Sequence, residues 1–370
     1  MKQNNNRSSN FELLRIVAMI MIIMHHLFIH CIGKQLIDIE SIANMNNGYF
    51  NNPTVYNKLF IADYAYFMGP LGNAFFILIS GYFMSEKENI DMKNISIKLL
   101  SQLVFASICL IFVSFIWSMI STGRFTGVAD ISYFNSLAWY IGYYFLIILT
   151  GKLFLNNYLA KLNKTQYIEF LFIIFSLIEF TWTGTFLDNL IPGLRLLCTG
   201  IFLYSIGGYI KKYNPFNKIK ISVIILYIVL VICVIYFSAY NIRVINIEEF
   251  INSGEKEYIQ VIPRFDNWDF LVLTASVMIF ELFRRMKPFH NKIINFLGGA
   301  TLMIYIIHDN PFFYALWMRV DWIYYWYNNT FQFLLNVLLW VAITFSIGLI
   351  VYVAYVITNK MLAKTINNNQ

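Results

Sequence analysis

Charged residues are scarce in this sequence. Only 13% of the 370 residues are Asp, Glu, Lys or Arg, against roughly 25% in an ordinary soluble domain. Hydrophobic residues make up 59% of the chain, and its mean hydropathy is +0.60. A soluble fold of this length needs more polar surface than this composition supplies. The scarcity of charge therefore excludes a soluble enzyme and predicts an integral membrane protein.

Cysteine is also scarce, and its spacing excludes two kinds of site. The four cysteines lie far apart along the chain, at Cys31, Cys109, Cys198 and Cys233. They form no Cys-x-x-Cys motif and no Cys/His ligand spacing, so neither a disulfide framework nor a zinc site is expected. We predict that the protein holds no metal ion and no permanently bound cofactor.

Long apolar runs, in contrast, occur along the whole chain. Stretches long enough to cross a bilayer lie at approximately 11–31, 59–84, 95–120, 136–151, 166–183, 193–210, 219–240, 267–283, 293–318 and 331–357. Continuous apolar runs of this kind are typical of transmembrane helices. We predict an all-α fold, a polytopic transmembrane helical bundle of about ten spans. No Gly/Ser linker divides the chain, so residues 1–370 are expected to form a single membrane domain without a soluble appended domain.

The surplus of positive charge follows the predicted topology. The net charge is +7, with 27 Lys and Arg residues. Of these, 18 lie in the alternate segments that include both termini, 7 lie in the opposite segments, and Arg15 and Arg195 lie inside spans. Cytoplasmic segments of membrane proteins are enriched in Lys and Arg. Both termini are therefore predicted to be cytoplasmic, and no nucleic-acid partner is expected.

The first predicted span has the densest set of polar side chains. A polar group in the hydrocarbon region is costly enough to require an explanation. Arg15 and His26 are eleven positions apart, which places them within about 20° on one helix face and roughly 16 Å apart along the axis. His30 follows on nearly the same face, whereas His25 is turned about 100° away. An aligned cation and imidazole suggest a shared cleft, although an arginine can also snorkel to head groups and a histidine can bond to a neighbouring helix.

Five segments carry a resemblance to a known family. They are Arg15 with His26 and Ala18 between them, FFILISGYF at Phe75–Phe83, AWYIGYY at Ala138–Tyr144, YSIGGYIKK at Tyr204–Lys212 and LGGATLMIYIIHDNP at Leu297–Pro311. In order and spacing, these segments are similar to the motifs of the acyltransferase-3 family. Members of this family are integral membrane enzymes that transfer acyl groups to extracytoplasmic carbohydrates.

The resemblance implies a membrane O-acyltransferase. Such an enzyme would transfer an acetyl group from cytoplasmic acetyl-CoA, a substrate rather than a cofactor, to a hydroxyl of a cell-surface polysaccharide or its lipid-linked precursor. It would lie among the lipids of a bacterial cell membrane. The alternative is a multi-span transporter or flippase of a lipid-linked sugar or acyl donor. The Arg15–His26 alignment and the absence of an evident internal repeat favour the enzyme.

On the donor side, the resemblance gives three residues a role. His26 is the candidate catalytic residue, either as a general base for the incoming hydroxyl or as the acceptor of the acyl group in an acyl-imidazole. Arg15 would bind the phosphates of the donor, since its planar fork suits phosphate oxygens. Ser80 lies near the cytoplasmic end of the second span and is expected to contact the donor. A Ser-Gly pair at that position also lets two helices approach closely.

Four residues are candidates for the acceptor side or for support of His26. His30 could relay protons or orient His26, or be an interfacial histidine. Tyr305 and His308 could flank the acceptor path, or belong to a hydrogen-bonded core. Trp139 could stack on a sugar ring, or belong to the aromatic belt of the membrane interface.

Overall fold

The chain folds into helices. The computed structural model describes residues 8–37, 59–124, 138–253, 255 and 265–368. Within these ranges there is no β-strand, which confirms the all-α class. The described residues form two compact units: residues 8–90 and 143–289 make up the first unit, and residues 91–142 and 290–368 make up the second.

The helices differ greatly in length. In chain order they are α1 (Ser9–Leu27), α2 (Gly33–Ile37), α3 (Leu59–Met84), α4 (Met92–Thr122), α5 (Trp139–Thr150), α6 (Asn156–Lys161), α7 (Lys164–Glu179), α8 (Thr181–Leu190), α9 (Leu194–Tyr213), α10 (Ile221–Ser253), α11 (Phe270–Arg285), α12 (Lys292–His308), α13 (Pro311–Trp317), α14 (Trp322–Asn328) and α15 (Thr330–Asn368). Two π-helical turns, Phe28–Ile32 and Gly151–Leu155, join α1 to α2 and α5 to α6.

Fewer helices than predicted qualify as membrane spans by length and composition. Among the described residues, five do so: Ser9–Gln35, Asp63–Met84, Met92–Thr122, Ile221–Phe250 and Thr330–Thr365. A sixth results if Lys164–Glu179 and Gly184–Leu190, which are bent by 74°, count as one broken span. The predicted number of about ten spans is therefore not confirmed.

Local breaks explain part of this difference. The predicted span 293–318 is divided after α12, where the Asn310 side chain accepts a 3.0 Å hydrogen bond from the Phe313 backbone and Pro311 begins α13. An N-cap followed by proline is a strong helix start, because proline at the first position loses no helical hydrogen bond. Apolar runs counted along the sequence do not register such restarts.

Helix α3 occupies the centre of the first unit, where it packs against α1, α9, α10 and α11. A buried ion pair ties it to α10. Arg243 donates to both carboxylate oxygens of Asp63, with Nε–Oδ2 2.9 Å and Nη2–Oδ1 2.7 Å, and both side chains are buried. The two-point geometry allows the pair to offset the cost of burying two charges. This pair fixes the Asp63 end of α3 against α10.

The second unit is built on α12 and the long helix α15. Helix α12 packs against both α15 and α4. The side chains of Trp317, Trp322 and Trp326 are buried at the short helices that precede α15. The indole of Trp317 donates to Thr344 Oγ1 at 3.3 Å, and Arg319 lies 4.6 Å from the Trp117 ring centroid. These contacts hold the loop-rich segment after α12 against the long helices.

Candidate functional site

Helix α1 carries two of the three predicted donor-side residues, Arg15 and His26, on one face. It is α-helical without interruption from Ser9 to Leu27, so the eleven-residue separation of Arg15 and His26 gives about 16 Å along the axis. Both side chains are partly exposed, whereas Leu14, Ala18 and other neighbouring positions of α1 are fully buried. Arg15 and His26 are therefore two partly exposed side chains on one face of α1, and the residues between them on that face, Met19 and Ile22, are buried.

The guanidinium of Arg15 is held by a neighbour on the same helix. Arg15 Nη1 donates to Glu12 Oε1 at 3.0 Å, and the two side chains are 29% and 6% exposed, respectively. The second oxygen, Glu12 Oε2, is buried and has no hydrogen-bond partner among the described residues. Arg15 is therefore not simply snorkelling to the membrane surface. Glu12 was not among the residues predicted from the sequence, although an acidic residue three positions before Arg15 in a helix is a recognisable sign of an ion pair.

His25 is seated against α3. Its Nδ1 lies 3.0 Å from the backbone oxygen of Ala65, and its ring also interacts with the carbonyl of Tyr66. Pro70 lacks the N–H that would pair with the Tyr66 carbonyl one turn earlier, which leaves that oxygen available. A Cβ on Gly69 would overlap the His25 ring. This seat fixes the rotation of α1, so that His26 projects in a different direction from His25.

His26 and His30 are brought together as the sequence predicts. The ring centroids of His26 and His25 are 5.6 Å apart, and those of His26 and His30 are also 5.6 Å apart. His30 lies in the π-helical turn Phe28–Ile32. Turns of this kind are rare and occur frequently at functional sites. Three imidazoles therefore follow one another at the end of α1, with His26 in the middle.

Ser80 is buried between helices of the first unit. Its hydroxyl donates to the Phe76 backbone oxygen at 2.8 Å and lies 3.2 Å from the hydroxyl of Tyr144. The next residue, Gly81, meets the backbone of Tyr204 in α9 so closely that a Cβ would overlap the Tyr204 carbonyl. The Ser-Gly pair thus lies at a close helix contact, and the role of Ser80 toward the donor stays a prediction.

Cations collect at the end of the first unit where α1 begins. Asn10 Nδ2 donates to Met286 O at 2.8 Å, which fixes the start of α1 at the end of α11. Three side chains, which we call the cationic end, lie in the last turns of α9 and α11: Lys211, Arg284 and Arg285.

Two contacts organise the cationic end. The buried carboxylate of Glu281 accepts two 2.7 Å bonds from Arg284 and a further bond from Arg285. Lys211 Nζ lies 5.0 Å from the ring centroid of Tyr82, which itself packs 5.3 Å from Phe11 of α1. Glu281 thus pairs with two of the three cations and Lys211 packs on an aromatic ring, so the cationic end and Glu281 together carry a surplus of positive charge. This charge favours the approach of an anionic molecule from that side.

The remaining candidates belong to the second unit, where ring contacts connect them. Trp139 is 45% exposed and lies 5.7 Å from Tyr140, measured between ring centroids. Tyr140 lies 6.0 Å from Tyr305, which lies 5.9 Å from His308. Trp139, Tyr305 and His308 are therefore brought together through Tyr140.

The inner part of this aromatic row is a hydrogen-bonded core. His308 is fully buried, and its Nδ1 lies 2.8 Å from the backbone oxygen of Ile304. The buried carboxylate of Asp309 accepts a hydrogen bond from Tyr314. The environment of His308 is that of a hydrogen-bonded core residue. Of Trp139, Tyr305 and His308, only Trp139 is well exposed. The roles of all three residues on the acceptor side stay predictions.

The described part of the chain contains no group of three His, Cys, Asp or Glu side chains arranged to hold a metal ion. Its long apolar helices define a multi-pass helical membrane protein. A family model described as an acyltransferase domain, that of the acyltransferase-3 family, matches residues 8–359. The chain therefore belongs to this family, which confirms the resemblance. No curated protein and no solved structure matches the chain.

Proposed function

We propose that this membrane acyltransferase transfers an acetyl group from cytoplasmic acetyl-CoA to a hydroxyl of a cell-surface polysaccharide or its lipid-linked precursor. The observation that carries the proposal is the placement of Arg15 and His26, both partly exposed, on one face of an uninterrupted helix. Arg15 lies toward the cationic end and His26 about 16 Å farther along. The protein would lie in a bacterial cell membrane with both termini cytoplasmic, as the distribution of Lys and Arg predicts.

The shape and charge of the donor suit this arrangement. Coenzyme A carries its negative charges at one end and its thioester at the end of a long, thin arm. Phosphates held by Arg15, on the side of α1 that faces the cationic end, would leave the arm to run along α1. A separation of about 16 Å is comparable with the length of that arm when extended. The thioester would then reach the level of His26.

His26 supports acyl transfer by either of two routes. As a general base, its imidazole takes the proton of the sugar hydroxyl while the hydroxyl oxygen attacks the thioester carbonyl, and coenzyme A leaves as the thiolate. As a nucleophile, an imidazole nitrogen attacks the carbonyl first and expels the thiolate; the sugar hydroxyl oxygen then attacks the acyl carbon, and the imidazole leaves and takes up the hydroxyl proton. In both routes the C–S bond breaks and an ester C–O bond forms. His30, 5.6 Å away by ring centroids, would orient His26 or relay its proton.

On the acceptor side, the exposed ring of Trp139 supports a contact with sugar. An aromatic face offers an apolar surface to the C–H groups of a pyranose. Tyr140 and Tyr305 continue the row of rings behind Trp139. In this proposal Trp139 stacks on the glycan, while Tyr305 and His308 support it from the buried side.

The first prediction is turnover of the donor. The purified full chain in detergent, given radiolabelled acetyl-CoA, should release coenzyme A faster when a polysaccharide or lipid-linked sugar acceptor is added. The label should move to the acceptor as an ester that mild alkali cleaves. If no thiol is released with any acceptor, while vesicles containing the protein move a lipid-linked sugar across the bilayer, the transporter alternative is correct instead.

A second prediction tests how His26 is aimed. Gly69→Ala should displace the His25 ring and shift the His26 end of α1 locally, lowering kcat about 10- to 100-fold, because misplacement of a reacting group by about 1 Å costs that much. The KM for acetyl-CoA should change little, since Arg15 lies farther along the helix. In a His25→Ala background the new methyl group has room, so Gly69→Ala should then have little further effect. If Gly69→Ala lowered kcat equally in the wild-type and His25→Ala backgrounds, His25 would not pack against Gly69 as described.

A further inference from the structure

A buried carboxylate in the first turn of α1 has no place in the reaction described so far. Glu12 is 6% exposed in its side chain, and one of its oxygens bonds only to Arg15 Nη1. The other oxygen is buried without a hydrogen-bond partner among the described residues. Burial of a charged group in this state is unfavourable and requires an explanation.

The helix dipole does not supply that explanation. An acidic residue in the first turn does stabilise the positive end of a helix, but an exposed glutamate would do so without the cost of burial. The Glu12 side chain also caps no backbone N–H of α1. The specific contact that its burial creates is the bond to Arg15.

That bond restricts where Arg15 can point. A free arginine side chain samples many rotamers, and the loss of this freedom on binding a ligand lowers the affinity. An arginine that is already held in place loses less. Glu12 lies one turn nearer the start of α1, so its carboxylate draws the guanidinium toward the cationic end. In the part of the chain that the structure describes, Arg15 forms a hydrogen bond through Nη1 alone, and its side chain remains 29% exposed. The other N–H groups of the guanidinium, at Nε and Nη2, are left for a ligand.

We propose that Glu12 is a positioning residue, which holds Arg15 in the orientation that binds the phosphates of the acyl donor. This inference rests on the proposed function. It also means that the two side chains depend on each other. Arg15→Ala alone would leave the Glu12 carboxylate buried without its cation, so a loss of activity in that variant would combine a binding defect with a folding defect. The test must therefore vary both residues.

The experiment measures binding of coenzyme A itself, which needs no turnover. Titration calorimetry on the purified full chain should show that Glu12→Ala raises the Kd for coenzyme A about tenfold. Glu12→Gln, which keeps an oxygen for Arg15 Nη1, should recover most of that affinity. With acetyl-CoA, Glu12→Ala should raise KM by a similar factor and leave kcat within about threefold. Glu169→Ala, which removes an exposed carboxylate of α7, serves as the control and should change neither quantity.

A double-mutant cycle completes the test. If Glu12 acts through Arg15, Glu12→Ala should have no further effect on Kd once Arg15 is also Ala, and the double variant should be as well folded as the wild type. An unchanged or lower Kd in Glu12→Ala, or equal effects in both backgrounds, would overturn the proposal for Glu12 alone. Failure of the wild type to bind coenzyme A at all would instead overturn the proposed function.

Discussion

His26→Ala is expected to lower the rate of acyl transfer by about 10²- to 10⁴-fold, the usual contribution of a positioned acid–base group. The reason is its partly exposed position on the same face of α1 as Arg15, about 16 Å away along the axis, and between the rings of His25 and His30. His25 cannot replace it, because the seat at Ala65 and Gly69 holds that ring against α3. The measurement is transfer of label from acetyl-CoA to an acceptor by the purified variant.

A matched control separates chemistry from folding. His290→Ala removes an exposed histidine that lies 3.2 Å from Asn295, and it should leave the rate unchanged. His26→Ala should elute as a single species and bind coenzyme A as tightly as the wild type, since the phosphates lie at Arg15. Full activity in His26→Ala would contradict its catalytic role while leaving the family assignment intact.

The same assay distinguishes the two roles of His26. In the absence of an acceptor, a nucleophilic imidazole should retain labelled acyl group on the protein after rapid quenching. A general base should retain none. In His26→Ala the label should be absent in either case, so label on that variant would indicate another nucleophile.

Features that depend on one continuous helix could be predicted from the sequence. The alignment of Arg15 and His26 requires only that α1 be unbroken between them, and the helical period then fixes both the shared face and the axial distance. The ring contact between His26 and His30 is equally local. Even Glu12 could have been found, because its spacing to Arg15 is a local signal.

Features that depend on contacts between distant segments could not be predicted. Asp63 and Arg243 are 180 positions apart, and nothing in the sequence around either residue indicates that they form a two-point ion pair. The packing of His25 against α3 also requires α3 to lie beside α1 with Gly69 directly opposite the His25 ring. The predicted number of spans is not confirmed for a related reason. Hydropathy measures the apolar content of a window, whereas an N-cap such as Asn310 divides an apolar run without changing that content.

Gly81→Ala is expected to disrupt the contact between α3 and α9. A Cβ on Gly81 would overlap the Tyr204 carbonyl oxygen and lie 2.7 Å from its carbon. From the other side, a Cβ on Gly207 would lie 2.5 Å from the Leu78 oxygen and 2.7 Å from the Tyr82 nitrogen. The helices touch here through backbone atoms, which have no alternative rotamer. Small residues at such interfaces allow this close approach.

To accommodate the methyl group, α3 and α9 must move apart. Tyr204 also donates to Asn156 Oδ1 at 3.0 Å, and Asn156 in turn binds the Met84 carbonyl at 2.8 Å, so a shift of α9 would disturb the end of α3 as well. We expect a loss of about 3 kcal/mol or more in the free energy of unfolding, at the upper end of overpacking effects. Thermal unfolding of the purified variant in detergent would show a lower Tm and a smaller monodisperse fraction.

Gly142→Ala is the matched control for this prediction. Gly142 also lies inside a helix, α5, but a Cβ there would meet no atom within 4 Å. Because alanine favours the helix by about 1 kcal/mol over glycine, this variant should have the same Tm as the wild type or a higher one. A lower Tm for Gly81→Ala together with an unchanged or higher Tm for Gly142→Ala would show that the loss of stability arises at the contact with Tyr204. A Tm for Gly81→Ala equal to that of Gly142→Ala would show that α3 and α9 do not pack through Gly81.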